Sequence, residues 1–343
     1  MNDRSTASPR LQELDSLRGI AAMSVVMFHY TARYQVLFGH SHPLPLQVPW
    51  GSYGVDLFFM ISGFVIFLTL DKISSPLDFV VSRFSRLYPT YWAAILVTFV
   101  LTHLFAVPGR TVGITTAILN LTMIQELIHV PDVDGVYWTL EVELIFYGLA
   151  LTLFATGNAK RVGVAIAGLV GLRVVSLALE QYSSFRMSWT VNQLLILPEI
   201  AWFGLGILVY RQVSSAKASP RNNIVVGALC VAGIGIADGP VLAAFAAALS
   251  ALLWAAASHR LPWLNMRLLV WLGTISYPLY LLHQNIGYGL ILRIEGAGMA
   301  PELAVAMALA VSLALAAALS RLVERPAMAW IRAAYHRRHA TSA

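Results

Sequence analysis

From residue 17 almost to the C-terminus, long apolar runs alternate with short interruptions that are polar and often basic. Runs of roughly 18 or more apolar residues are long enough to cross the hydrocarbon core of a bilayer as helices. The pattern predicts spans near 17–37, 53–71, 87–107, 138–156, 161–179, 193–212, 222–237, 241–258, 269–292 and 302–322. The apolar stretch 113–128 stands apart and is open to a re-entrant or interfacial reading; the segment around it, 108–137, is a candidate lid. The predicted fold is therefore an all-α integral membrane bundle of about ten transmembrane helices. It forms a single domain over 1–343, with polar tails at 1–14 and 325–343 and no internal repeat.

Composition agrees: 58% of residues are hydrophobic, only 12% are charged, and the mean hydropathy is +0.70. A soluble domain carries about 25% charged residues. The placement of Lys and Arg sets the orientation. With the N-terminus inside, the cytoplasmic segments hold Arg4, Arg10 and Arg18; Lys72, Arg83 and Arg86; Lys160 and Arg161; Arg211, Lys217 and Arg221; Arg260 and Arg267; and Arg321, Arg325, Arg332, Arg337 and Arg338. The outer loops hold only Arg110, Arg186 and Arg293. An odd number of spans would break this alternation, so both termini are expected in the cytoplasm. The basic excess is then a positive-inside signature and not a nucleic-acid patch. The polar N-terminal segment and the absence of a small-residue cleavage site make the first span an uncleaved anchor. Cys230, the single cysteine, is expected to be a buried packing residue.

The spans are of two kinds. The fifth, seventh, eighth and tenth are rich in Ala, Leu, Val and Gly and read as scaffold. The first, second, fourth and ninth carry Arg18, His29, Asp56, Glu141, Glu143 and His283 in or beside apolar runs. An ionisable group at membrane depth is costly, and several converging at one depth point to function rather than to isolated interhelical hydrogen bonds. From the helical rise, His29 lies about 18 Å and His283 about 21 Å above the inner ends of their spans, and Glu143 about 7 Å below the outer edge of its own. Asp56 enters the same outer half. Arg18 and His29, separated by three turns plus about 20°, share one helix face, and Asp15 is placed to pair with Arg18. Arg83-Phe84-Ser85-Arg86, if helical, projects two guanidiniums together. That arrangement suits phosphate oxygens, although positive-inside anchoring accounts equally for basic residues there.

Six blocks then resemble the acyltransferase-3 family of bacterial membrane O-acyltransferases. They are Leu14-Asp15-Ser16-Leu17-Arg18-Gly19 leading to His29; Gly54-Val55-Asp56-Leu57-Phe58-Phe59-Met60-Ile61-Ser62-Gly63-Phe64; Arg83-Phe84-Ser85-Arg86-Leu87-Tyr88-Pro89; Trp138-Thr139-Leu140-Glu141-Val142-Glu143; Ser276-Tyr277-Pro278-Leu279-Tyr280-Leu281-Leu282-His283; and Glu324-Arg325-Pro326. Thr139 stands where the family usually has Ser. The resemblance implies transfer of an acyl group, commonly acetyl, from cytoplasmic acyl-coenzyme A to a hydroxyl of an envelope polysaccharide or lipid-linked glycan. Small natural products are acceptors for some relatives. It places the chain in a bacterial inner membrane, among lipid, without the C-terminal hydrolase-like domain of some relatives. No bound cofactor is expected, and the oligomeric state is open.

Acyl transfer needs a base, oxyanion stabilisation and positioning. His29 is the expected base, with Glu143 or Asp56 orienting its ring; acylation of His29 itself is the alternative. Arg18, Arg83 and Arg86 are the candidate donor-phosphate ligands. His283, Asp15 and Glu141 are candidates for a second wall of the site, His283 being equally readable as a core residue. Ser62 is read as packing beside Gly63, not as a nucleophile. His40 and His42 are read as solvated loop residues, and Trp50, Tyr53, Tyr137 and Trp138 as sugar-stacking or interfacial aromatics. No metal-ligand spacing, P-loop or dinucleotide fingerprint is present. A transporter or flippase using the same ionisable groups as a proton path is the rival reading.

Overall fold

The computed structural model describes residues 11–214 and 219–340, so Arg4, Arg10, Lys217 and most of the polar N-terminal tail lie outside the described residues. Among these residues all regular structure is helical. The helices are α1 (Gln12–Phe28), α2 (Tyr34–Leu37), α3 (Gly54–Leu70), α4 (Pro76–Phe105), α5 (Ile114–Asn120), α6 (Trp138–Ala155), α7 (Val162–Tyr182), α8 (Trp189–Leu194), α9 (Ile200–Val213), α10 (Pro220–Asp238), α11 (Pro240–Ala257), α12 (Arg267–Gly296), α13 (Pro301–Leu319) and α14 (Arg325–Ala340). A π turn over His29–Arg33 joins α1 to α2, and another over Ser320–Glu324 joins α13 to α14.

By length and composition, 7 helices are able to cross a membrane: Pro49–Leu70, Pro76–Phe105, Trp138–Ala155, Ala159–Tyr182, Pro220–Asp238, Pro240–Ala257 and Pro301–Arg338. They correspond to seven of the expected spans. The expected first and ninth spans fall on α1 with its extension to Leu37, and on α12. Both carry too many polar residues to pass on hydropathy, yet α12 has 30 residues, about 45 Å of helix. The expected span at 193–212 is corrected. The chain breaks between Leu194 and Ile200, where Ile196 has φ 44° and Pro198 follows, leaving the 14-residue α9. Proline lacks the backbone donor and disfavours helix in the residue before it. The stretch 113–128 forms only the 7-residue α5 and turns, so it is not a further span.

The core is organised around α12. Residues 275–289 of this helix are buried throughout, with α1 packed along one side and α13 along another. The close crossing of α1 and α12 requires glycine: a Cβ on Gly273 would collide with the Asp15 carbonyl. Gly63 plays the same part between α3 and the Phe203 carbonyl of α9. In contrast, only 22%, 22% and 28% of the apolar windows of α7, α10 and α11 are buried within the bundle. Cys230 is fully buried.

Helix α4 begins well before its expected span. Ser75 Oγ accepts from the Leu77 amide at 3.2 Å, and Asp78 Oδ2 accepts from the Ser75 amide at 3.2 Å. This reciprocal cap followed by Pro76 satisfies the first orphan donors of the helix. Arg83 and Arg86 therefore sit inside a continuous helix, one turn apart. The end of the bundle holding Gln12, Pro76 and Arg325 is called the basic end below, and the opposite end the far end.

Candidate active site

Two compartments lie within the bundle. The one toward the basic end is a narrow space of ≈ 80 Å³ lined by Arg18, Arg83, Arg86, Ser62, Glu143 and Tyr147, among others. Arg86 Nη1 donates to Glu324 Oε1 at 2.6 Å, and the Glu324 side chain is almost wholly buried. Arg83 lies 5.9 Å from the ring centroids of Phe79 and Tyr147. The buried Nε atoms of Arg18 and Arg83 have no hydrogen-bond partner among the described residues. Glu143 Oε1 accepts from Ser62 Oγ at 2.7 Å and from Tyr147 Oη at 2.6 Å. Arg332, from α14, stands behind this wall and donates to Ser85 Oγ at 3.2 Å. Guanidiniums thus outnumber the two carboxylates, Glu143 and Glu324, and two of them retain a buried, unused donor.

The second compartment is a wider cavity of ≈ 400 Å³, lined by His29, Asp56, Trp138, Arg173, Glu199 and Asp238, among others. His29 opens the π turn between α1 and α2; such turns recur at functional sites because they shift the helix register locally. The His29 and His283 rings meet edge to face at 4.9 Å between centroids, with His283 Nε2 3.1 Å from His29 Nδ1. His283 Nδ1 lies 2.9 Å from the Tyr280 carbonyl, and His29 Nδ1 lies 2.9 Å from the Val25 carbonyl.

Carbonyl oxygens only accept, so for two neutral rings the protons are assigned by these contacts. His283 donates from Nδ1 to Tyr280, leaving its Nε2 as an acceptor. His29 then donates from Nδ1, shared between His283 and Val25. The lone pair on Nε2 of His29 is left for the cavity.

The backbone around His283 is itself held. Tyr30 Oη donates to the His283 carbonyl at 2.8 Å, Tyr137 Oη to the Leu281 carbonyl at 3.3 Å, and the Asn285 amide to Asp134 Oδ2 at 3.0 Å. Tyr137 and Asp134 belong to the 121–137 loop, which packs inward. In that loop Asp132 accepts from Gln125 Nε2 at 2.6 Å. Burial pushes the Asp132 carboxyl up to about 8, opposed by that hydrogen bond.

The expected site residues divide between these compartments. Arg18 lines the narrow compartment and His29 the wide one. Val55, Phe59 and Tyr280 line both and stand between them. Arg83 and Arg86 stand together in the narrow part, and Asp56 shares the cavity of His29.

Glu143 does not orient His29. Similar depth did not bring them together, because Glu143 and Tyr147, one turn apart on α6, both face the Ser62 side of α3. The orienting contact comes from His283 instead. Glu141 is not a wall of either compartment: it is fully buried, and its Oε2 accepts from the amides of Glu126 at 2.9 Å and Leu127 at 3.4 Å, holding the loop. Asp15 also lines neither compartment and lies at the α1–α12 crossing.

His40 is not a solvated loop residue, since its Nδ1 meets Glu295 Oε1 at 2.6 Å and its side chain is 1% exposed. His42 is half exposed against Glu302. Of the candidate stacking aromatics, Tyr53 and Trp138 reach the cavity, Tyr137 is core and Trp50 is exposed. Sequence reasoning missed Tyr147, Tyr280, Arg173, Glu199 and Asp238; Arg173 and Asp238 carried a signal as charges bordering apolar runs. Among the described residues no group of three or more His, Cys, Asp or Glu is placed to hold a metal ion.

A family model described as an acyltransferase domain matches residues 11–321. The exopolysaccharide production protein ExoZ of Rhizobium meliloti is 31% identical over 118 residues, 32% of this chain and 36% of that protein. A protein of Acidianus two-tailed virus named as an acetyltransferase is 27% identical over 207 residues, 59% of this chain and 57% of that protein. The chain thus matches about a third and just over half of the lengths of these relatives. No solved structure matches it significantly.

Proposed function

Because this chain belongs to the acyltransferase-3 family, we propose that it transfers an acyl group, acetyl in the simplest case, from acyl-coenzyme A to a hydroxyl of an envelope carbohydrate. The observation that carries the reading is that the two compartments share Val55, Phe59 and Tyr280 as lining, which we take as the neck between them. One side of that neck offers surplus guanidinium donors, and the other offers the free imidazole nitrogen of His29.

In this reading the basic end faces the cytoplasm of a bacterial cell and the far end faces outward, as the positive-inside distribution requires. Arg18 and Arg83 hold donor phosphates, because their forked, permanently charged groups match phosphate oxygens. Arg86 contributes less, since Glu324 already engages it at 2.6 Å. The thioester reaches the neck from the basic end and the acceptor hydroxyl from the far end.

His29 Nε2 takes the hydroxyl proton as the acceptor oxygen attacks the thioester carbonyl. His283 Nε2 accepts from Nδ1–H throughout, which fixes the ring and stabilises its cation as a carboxylate does in hydrolase triads. Collapse of the tetrahedral species expels the coenzyme A sulfur, which takes the proton back from His29. The products are the ester and the free thiol, and His29 is again neutral. Holding the two reactants across a common neck replaces an encounter in solution by one between fixed groups.

Purified protein given labelled acetyl-coenzyme A and a neutral oligosaccharide should release coenzyme A and label the sugar. His29→Ala, folded in the membrane, should do neither. Normal acetyl transfer by that variant, or a wild type that moves sugar without consuming the thioester, would sink the reading.

A further inference from the structure

The charge balance of the far-end cavity has a consequence for what it accepts. Asp56, Glu199 and Asp238 line it against a single guanidinium, that of Arg173. Arg173 is already committed. Its Nη2 contacts both carboxylate oxygens of Asp238 at 2.9 and 3.0 Å, and its Nη1 donates to the Pro198 carbonyl at 2.7 Å. Arg110, the basic residue of the nearby outer loop, stacks 5.7 Å from the Tyr288 ring and is not part of the cavity wall. Among the described residues Asp56 and Glu199 form no ion pair, and Arg173 acts on Glu199 only at longer range.

The buried Oε2 of Glu199 also has no hydrogen-bond partner among the described residues. A buried carboxylate oxygen without a donor is costly, and that disfavours a further negative charge beside it. The wall also carries the aromatic rings of Phe28, Tyr53, Phe59, Trp138 and Trp202. Aromatic faces suit the C–H face of a sugar ring, and carboxylates suit its hydroxyls as acceptors. The volume of ≈ 400 Å³ falls within the roughly 300–1,000 Å³ of small-molecule sites.

We propose that this cavity is built for a neutral, hydroxyl-rich sugar unit and discriminates against anionic ones such as uronates, with Asp56 and Glu199 as the discriminating residues. The inference rests on the reading that the acceptor enters here. With Asp56 and Glu199 ionised, a carboxylate on the sugar meets two like charges in a partly dehydrated site, where Coulomb repulsion is weakly screened.

The test is a pair of matched probes, cellobiose and cellobiouronate, titrated against the full chain in lipid nanodiscs. Tryptophan fluorescence reports binding, since Trp138 and Trp202 line the cavity. Cellobiose should bind saturably and at least about tenfold more tightly than the uronate. Asp56→Asn with Glu199→Gln should narrow that ratio to within about threefold, by relieving repulsion of the uronate. Equal or tighter binding of the uronate by the wild type, or no saturable cellobiose binding, would overturn the proposal, and neither result depends on the double variant folding. Acetyl transfer is assayed separately: cellobiose binding without acetylation would refute the catalytic reading while leaving the sugar site standing.

Discussion

The two compartments differ in almost every respect relevant to binding. The narrow one, ≈ 80 Å³, is rich in arginine and closed by tyrosines, and it keeps two guanidinium donors unused in buried positions. The wide one, ≈ 400 Å³, is aromatic and acidic, and its one guanidinium is occupied by Asp238. A phosphate-bearing ligand is favoured on one side of the neck and disfavoured on the other. One bundle can therefore keep two substrates from entering each other's site without a moving gate. In the proposed mechanism the reactive nitrogen sits on the wide side, so it takes the hydroxyl proton as the acceptor oxygen attacks the donor.

The strongest way to break this division is to remove the base. His29→Ala should lower acetyl transfer by about 10³-fold, in the range of general-base removal, with donor affinity retained because the narrow compartment is untouched. Coenzyme A release at fixed acceptor concentration checks it.

Next comes His283, which in the proposed mechanism acts through His29. His283→Ala should lower kcat by about a hundredfold while leaving both KM values within about twofold. His283→Gln should recover part of that loss, because its amide oxygen can accept from His29 Nδ1. A purely structural role would instead reduce folded yield and move both KM values, with no recovery by Gln.

A smaller effect sharpens the donor side. Arg83→Lys and Arg18→Lys should each raise the donor KM by about tenfold and leave the acceptor KM unchanged, because a point charge does not replace the fork. Arg86→Lys should do less, since Glu324 remains its partner. The reverse order would reassign the phosphate site.

The smallest effect concerns the loop that holds His283. Asp132 is raised from 3.8 to about 8, so the protonated form is favoured in the folded state. Its contribution is complete below about pH 4 and is lost as pH rises through about 8. Amide exchange in 121–137, relative to its intrinsic base-catalysed rate, should accelerate between about pH 4 and 8 and level off above that. Asp132→Asn should flatten the response; an unchanged pH dependence in that variant would assign it elsewhere.

Much of this was legible in the sequence because it is local. Apolar run lengths placed the spans, and the eleven-residue interval placed Arg18 and His29 on one face. The Arg83–Arg86 pair followed from helical spacing once Ser75 and Asp78 had started the helix. What was not legible depends on how helices cross. His29 meets His283 because α1 and α12 approach at Gly273, a contact between residues far apart in sequence. Glu143 was assigned to the wrong partner because depth is readable from helical rise, whereas the face turned toward a neighbour is set by packing. Glu199 lay hidden within the expected span 193–212, which the break at Pro198 divides.

The central claim is that donor and acceptor reach one neck from opposite ends of the bundle. It is tested by reconstituting the protein in one orientation in sealed vesicles, with labelled acetyl-coenzyme A only on the side of the basic end and cellobiose only on the other. The account predicts acetylated sugar on the far side and coenzyme A on the basic side. Product that forms only when both substrates share one side would contradict it.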